Sequence, residues 1–211
     1  MKAVIFDRDG VIVNSEPVNV MSAFRAFNKL GIELAEEDKA YIVGRHPIDY
    51  RYDLEKKYQF SYDKFRKMQR KLYYELFDSA ELFLETIHLI KQLKKLGIPL
   101  GLTTSSGLES TNLVLKRGEL EGIFDVVVTH EDYEKRKPHP EPYQETAKKL
   151  DVNTAECIVI EDSEVGLQSA KAAGMKCIIL RNQYTTGQDF SSADSIFSSA
   201  KDIKIDLLLN I

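Results

Sequence analysis

The sequence predicts a doubly wound α/β core with a parallel sheet, interrupted by a helical insertion, and three observations carry that expectation. Short apolar runs recur at residues 3–6, 98–102, 126–128, 158–160 and 177–180, each closed by polar or turn-forming residues, as expected of strands buried on both faces. Helical patterns alternate with these runs, and strand alternating with helix builds a Rossmann-like sheet covered on both sides. Between residues 14 and 81 the alternation stops.

Taken in order, the first run (AVIF) ends abruptly at Asp7. The segment 14–81 follows, with helical spacing at 20–30 and 62–76 and no convincing strand. It is expected to be a helical insertion, which leaves a discontinuous core of residues 1–13 and 82–211. The core resumes with a helix at 86–97, where Ile87, Ile90 and Leu93 share one face, and continues with helices at 109–117, 141–150 and 163–174 between the remaining strands. A chain of 211 residues is longer than one average domain and shorter than two, which suits a core carrying an insertion.

Composition excludes several classes. Hydrophobic residues make up 43% and charged residues 29%, values of a globular chain rather than a disordered or membrane one. The net charge of -4 supplies no basic field for a phosphate backbone, so nucleic acid is not an expected partner. Cys157 and Cys177 sit in the apolar stretches ECIVI and KCIIL and read as small core residues of neighbouring strands rather than as a disulfide. The N-terminus reaches acidic residues by position 7, and no later stretch holds the roughly 18 apolar residues of a membrane span. A cytoplasmic location without a membrane partner is therefore expected, and the chain is expected to be a monomer.

Ligands of open α/β sheets bind beyond the carboxyl ends of the strands, so the polar residues after each apolar run belong together. The first end is Asp7-Arg8-Asp9-Gly10. Two carboxylates one residue apart attract a hard cation, and Mg2+ shares oxygen ligands with substrate phosphate. Asp7 is placed to attack phosphorus, giving an acyl phosphate that water can release, and Asp9 to transfer protons. Alone, this tetrapeptide is a turn signal. The second end, Thr103-Thr104-Ser105-Ser106-Gly107, offers hydroxyls and amides at a helix start, where phosphate binds and where an ordinary N-cap would look the same. The third, Lys135-Arg136-Lys137-Pro138-His139-Pro140, offers a cation before rigid prolines, or a solvated basic loop. The fourth, Glu161-Asp162-Ser163, is a second acidic pair, which either caps a helix or completes a magnesium site. Nucleophile, hydroxyl, cation and acidic pair at successive strand ends outweigh any one of them.

These residues resemble the motifs of the haloacid dehalogenase superfamily, in its phosphatase and β-phosphoglucomutase-like branch: FDRDGVIVNSEP, GLTTSSG, KPHPEPY and VIEDSEVGLQSAKAAGM. The resemblance implies a phosphatase in which Asp7 is the nucleophile and Asp9 the acid/base. It implies Thr104 and Ser105 as phosphate ligands and Lys137 as the group that neutralises charge. Mg2+ would be held by Asp7, the carbonyl of Asp9 and Asp162, with Glu161 as a further or water-mediated ligand. The insertion then looks like a cap that closes over substrate, with a sugar phosphate as the expected substrate class. In the cap, Gly44-Arg45-His46 falls where members place a substrate loop, so Arg45 is a candidate contact for an anionic group, or an exposed surface arginine. His46, His88, His130 and His139 lack metal-like spacing and are assigned no catalysis.

Three positions depart from the pattern. Arg8 replaces an apolar residue, and strand alternation is expected to turn it away from the phosphate into a surface or cap-facing ion pair. Asn14 stands where many members have Asp. Asn19 stands where sugar phosphomutases of the branch carry histidine, which favours a phosphatase over the mutase alternative. A receiver-type phospho-acceptor module is the remaining alternative, disfavoured by the insertion and the Asp-x-Asp spacing.

Overall fold

Four apolar residues with no exposed surface, Ala3–Phe6, form the strand at the centre of the fold. The structure, a computed structural model, describes residues 2–45 and 47–210. In chain order the strands are β1 (Ala3–Phe6), β2 (Val13–Asn14), β3 (Glu81–Leu82), β4 (Leu100–Thr103), β5 (Val126–Val128), β6 (Cys157–Glu161), β7 (Lys176–Leu180) and β8 (Ser195–Phe197). The helices are α1 (Glu16–Lys29), α2 (Glu36–Ile42), α3 (Arg51–Tyr58), α4 (Tyr62–Leu76), α5 (Leu84–Lys95), α6 (Leu108–Arg117), α7 (Glu141–Lys149), α8 (Glu164–Ala172) and α9 (Ile205–Asn210). The chain forms two compact units, Met1–Val13 with Leu82–Ile211, and Asn14–Glu81.

In the first unit, the described residues form a six-stranded sheet in the order β5-β4-β1-β6-β7-β8, with parallel neighbours throughout. This is the α/β architecture expected from the alternating pattern. Phe6 stands opposite Leu102 on one side and Ile160 on the other, so Asp7, Thr103 and Glu161 emerge at one end of the sheet. The Asp7 amide still donates to the Ile160 carbonyl at 2.9 Å, which carries the alignment one residue past β1. Alternate residues of the central strands, Ala3 and Ile5, Cys157 and Val159, Cys177 and Ile179, share one buried face with Tyr143 and Ala147 of α7 and Leu167 of α8. Both cysteines are buried and free.

The second unit is helical. α1 packs along α4, and the core between the helices is aromatic: Phe27 and Phe65 stack with ring centroids 4.4 Å apart, and Phe60 meets both rings edge-on. Ser61 caps α4 by accepting from the Lys64 amide. Among the described residues, no helix is long and apolar enough to cross a membrane.

Several boundaries differ from the sequence reading. The strand expected at 98–102 begins at Leu100, because α5 ends in a turn at Gly97 (φ 73°) where the Ile98 amide donates to the Leu93 carbonyl. Ile98 and Pro99 therefore close the helix rather than open the strand. The edge strand β8 was not foreseen, since a half-exposed run of three residues carries too little alternation to register.

Gly101 shows how tightly α7 lies on the sheet. A Cβ there would sit 2.6 Å from Thr146 Cγ2 and 3.3 Å from both Ile5 Cγ1 and Leu150 Cδ1. Gly101→Ala is expected to cost about 1–3 kcal/mol in stability, the usual range for overpacking. The measurement is the urea midpoint at unchanged slope, and an unaltered midpoint would mean that α7 yields freely.

Candidate active site

The buried lysine ammonium of Lys137 organises the sheet end. Its side chain is 6% exposed, and Nζ donates to Asp7 Oδ1 at 2.7 Å, Glu161 Oε1 at 2.8 Å and Tyr143 Oη at 2.8 Å. Tyr143, on the first turn of α7, donates to the same Glu161 oxygen at 2.9 Å. The other Glu161 oxygen accepts from the amides of Asp162 and Ser163 at 2.8 and 3.0 Å and from Ser163 Oγ at 3.0 Å. Ser163 is also the N-cap of α8, accepting from the Gly166 amide, so Asp162 is free of the capping role it could have played.

Burial alone would favour a neutral Glu161, but Lys137 and the amide hydrogen bonds reverse this and hold its carboxyl below the usual range. Burial likewise opposes the charge on Lys137, and Asp7 and Glu161 overcome it, so the ammonium stays protonated. Asp7 is different. Burial pushes it up to about 7, Glu161 and Asp9 add to the rise, and Lys137 only partly opposes it. Asp162 is raised well above the carboxylate range by burial and then by Glu161 and Asp7, although it accepts from Asn182 Nδ2 at 2.8 Å.

Asp7, Glu161 and Asp162 each offer a carboxylate oxygen, and these atoms lie within 4.8 Å of one another. With Asp9 nearby, carboxylates outnumber the cations Lys137 and Arg8, which adds to the rise that burial begins. A surplus of negative charge on hard oxygen donors fits a divalent cation such as Mg2+. Gly10 (φ 76°) lets the turn after Asp7 come against this cluster, since a Cβ there would meet Asp162 Oδ2 at 1.8 Å.

Arg8 corrects an expectation. It is not a surface or cap-facing residue: it is 1% exposed and pairs with Asp9 inside the first unit, Nε to Oδ2 at 3.1 Å and Nη2 to Oδ1 at 2.8 Å. Pleat alternation does not govern it, because β1 ends at Phe6 and the chain turns back, with Gly10 N donating to the Val13 carbonyl and Asp9 bridging Val13.

The hydroxyl loop is present as read, with its members in distinct settings. Thr104 is fully buried, and its hydroxyl donates to Asp9 Oδ2 at 3.3 Å while accepting from the Ser106 amide. Ser105 is exposed. Ser106, not singled out before, donates to Asp9 Oδ2 at 2.9 Å. Arg45 belongs to the second unit, where it is exposed and stacks 4.5 Å over the Tyr41 ring. His46 lies outside the described residues. Sequence reasoning also missed Tyr143, visible only as the last letter of KPHPEPY, and Asn182. The signal for Asn182 was available: it follows the strand run 177–180, a fifth strand end.

Comparison with known proteins gives a consistent result. The pattern of haloacid dehalogenase-like hydrolases matches residues 4–180. The candidate phosphatase YhcW of Bacillus subtilis (strain 168) is 30% identical over 214 residues, covering 100% of this chain and 97% of its own length. The pyrophosphatase PpaX of Bacillus cereus (strain B4264) is 28% identical over 83% of this chain and 81% of its own length. CbbY from Rhodobacter sphaeroides, solved with phosphate, shares the fold with a TM-score of 0.86 at 23% identity, covering 100% of both chains.

The rise of Asp7 sets a pH dependence. Its folded value of about 7 exceeds the ordinary 3.8, so between these values the folded protein holds a proton that the unfolded chain has lost. Stability from this group is present below about pH 4 and is lost as pH rises through about 7. In metal-free protein, Asp7→Asn should therefore melt higher than wild type near pH 8, with the gap closing towards about pH 4. An equal melting temperature near pH 8 would contradict the buried, charge-crowded setting.

Proposed function

This chain belongs to the haloacid dehalogenase-like hydrolase family, and from that premise we propose that it is a Mg2+-dependent phosphatase of small phosphorylated molecules working through an aspartyl-phosphate on Asp7. The observation that carries the reading is Lys137, bonded at once to Asp7 and Glu161 beside the raised Asp162. A nucleophilic carboxylate must meet an anionic phosphoryl group, and a fixed ammonium against it offsets that repulsion.

Asp7 attacks phosphorus and Lys137 holds its carboxylate in position. Asp9 handles protons, and Thr104 and Ser105, in the loop before α6, are the candidate phosphate ligands. Asp162 and Asp7, with the main-chain carbonyl of Asp9, are the candidate Mg2+ ligands. The oxygens of Glu161 are engaged by Lys137, Tyr143, Ser163 and two amides, which favours an anchoring role over direct ligation. When bound, Mg2+ supplies positive charge against the phosphoryl oxygens. The helical unit Asn14–Glu81 takes the role of a cap, with Arg45 as its candidate anion contact. Sugar phosphates are one substrate class under this reading, and phosphoanhydrides, the class in the name of PpaX, are another.

The test is phosphate release from sugar phosphates, pyrophosphate and aryl phosphates, with and without Mg2+. Release should require Mg2+ and vanish in Asp7→Asn, and turnover by that variant at the wild-type level would overturn the mechanism. Asp162→Ala should lose activity that returns in part at high Mg2+, whereas a deficit insensitive to metal would count against ligation. Gly166→Ala, whose Cβ would lie 1.8 Å from Glu161 Oε1, should displace the anchor and lower turnover by about tenfold or more.

A further inference from the structure

The loop that carries the hydroxyl cluster leaves β4 with most of its main-chain groups engaged. The Thr104 amide donates to the Val128 carbonyl at 2.9 Å, a last rung towards β5. The Ser106 amide donates to the Thr104 hydroxyl at 3.0 Å, the Ser106 carbonyl accepts from the His130 amide at 3.2 Å, and the Leu108 amide donates to Glu131 Oε1 at 3.2 Å. The Thr104 carbonyl is held by a side chain. Tyr133, half-buried in the loop after β5, donates its hydroxyl to that carbonyl at 3.1 Å. The Ser105 amide, by contrast, meets no acceptor among the described residues.

A trans peptide is planar, so its C=O and N–H point to opposite sides. The peptide joining Thr104 to Ser105 is trans, and Tyr133 fixes its carbonyl on the β5 side, where the Thr104 amide is also held. The Ser105 N–H of the same plane is thereby turned away from β5. Because β4 lies between β5 and β1, and Leu102 stands beside Phe6, this direction leads to the end of β1, where Asp7 emerges. The Ser105 side chain is turned to the phenol itself, which leaves the main-chain N–H as the group offered on the β1 side. A donor fixed in direction before any charge arrives is the kind that stabilises developing negative charge, since it costs no reorganisation at the moment of reaction. We propose that Tyr133 is a positioning residue that clamps the Thr104 carbonyl and so presents the Ser105 N–H to a phosphoryl oxygen of the substrate. This rests on the phosphatase reading and assigns to one phenol the aim of its phosphate loop. Without the hydroxyl the carbonyl loses its partner, the peptide plane is free to rotate, and phosphate meets an amide that is no longer oriented.

The experiment uses inorganic phosphate with Mg2+ as the probe, on wild type and on Tyr133→Phe, which keeps the ring and removes only the hydroxyl. In wild type the backbone amide proton resonance of Ser105 should move downfield as phosphate is added. Tyr133→Phe should weaken phosphate binding, read by calorimetry, on the order of tenfold, less than the loss expected when such a donor is deleted outright. Its melting temperature should stay at the wild-type value. A lowered melting temperature with unchanged phosphate affinity would assign Tyr133 to packing alone and overturn the proposal, as would an equal affinity in a variant of equal stability. If the variant fails to fold, the Ser105 resonance of wild type decides. Mg2+-dependent phosphate release with a Ser105 amide indifferent to phosphate overturns this inference only. A wild type that neither binds inorganic phosphate nor releases it from any phosphoester overturns the phosphatase reading, and this inference with it.

Discussion

A lysine ammonium withdrawn from water and shared between carboxylates at the ends of two adjacent strands is the constraint on which the site depends. Lys137 joins Asp7 after β1 to Glu161 at the end of β6, and through Tyr143 it also ties in α7. Burying any of these charges alone would cost several kcal/mol, and only the shared arrangement makes burial tolerable. It works because parallel register brings Phe6 beside Ile160, and because Gly166 leaves room for the Glu161 carboxylate. Backbone pairing thus fixes the spacing, and the ammonium makes that spacing electrostatically acceptable.

The balance is incomplete. Asp7 and Asp162 remain raised, the first to about 7, so the folded protein holds carboxylates it would more easily keep neutral. Sites that concentrate like charge in this way sacrifice stability for readiness to bind the opposite charge. Positive charge entering the pocket would offset the crowding of its carboxylates and lower their raised values.

Much of this was legible in the sequence, for a physical reason. A buried strand must be apolar, so the residue at which it ceases to be apolar marks the sheet edge, where Asp7, Thr104 and Glu161 were read. What could not be read is the direction of a side chain once the strand has ended. Arg8 follows the turn closed by Gly10 and Val13 rather than the pleat, and its partners, Ser106, Ser110 and Thr111, lie about a hundred positions away. Tyr143 is another such case, because a tyrosine on an apolar helix face looks like core until its hydroxyl is found against Glu161. Asn182 was missed for a simpler reason, since the strand before it was not followed to its end.

The position of β1 bears on how the molecule is made. The strand that leads to Asp7 precedes both of its neighbours in the sheet, β4 and β6, which begin at Leu100 and Cys157. Until the latter leaves the ribosome, the apolar AVIF segment has no lasting partner on that side, and the contacts that complete it are of long sequence separation, which slows folding. The helical unit Asn14–Glu81 draws its core from contiguous chain and can form earlier. Securing β1 therefore lags its synthesis: a strand made before both of its neighbours is held on both sides only once Cys157–Glu161 has been added.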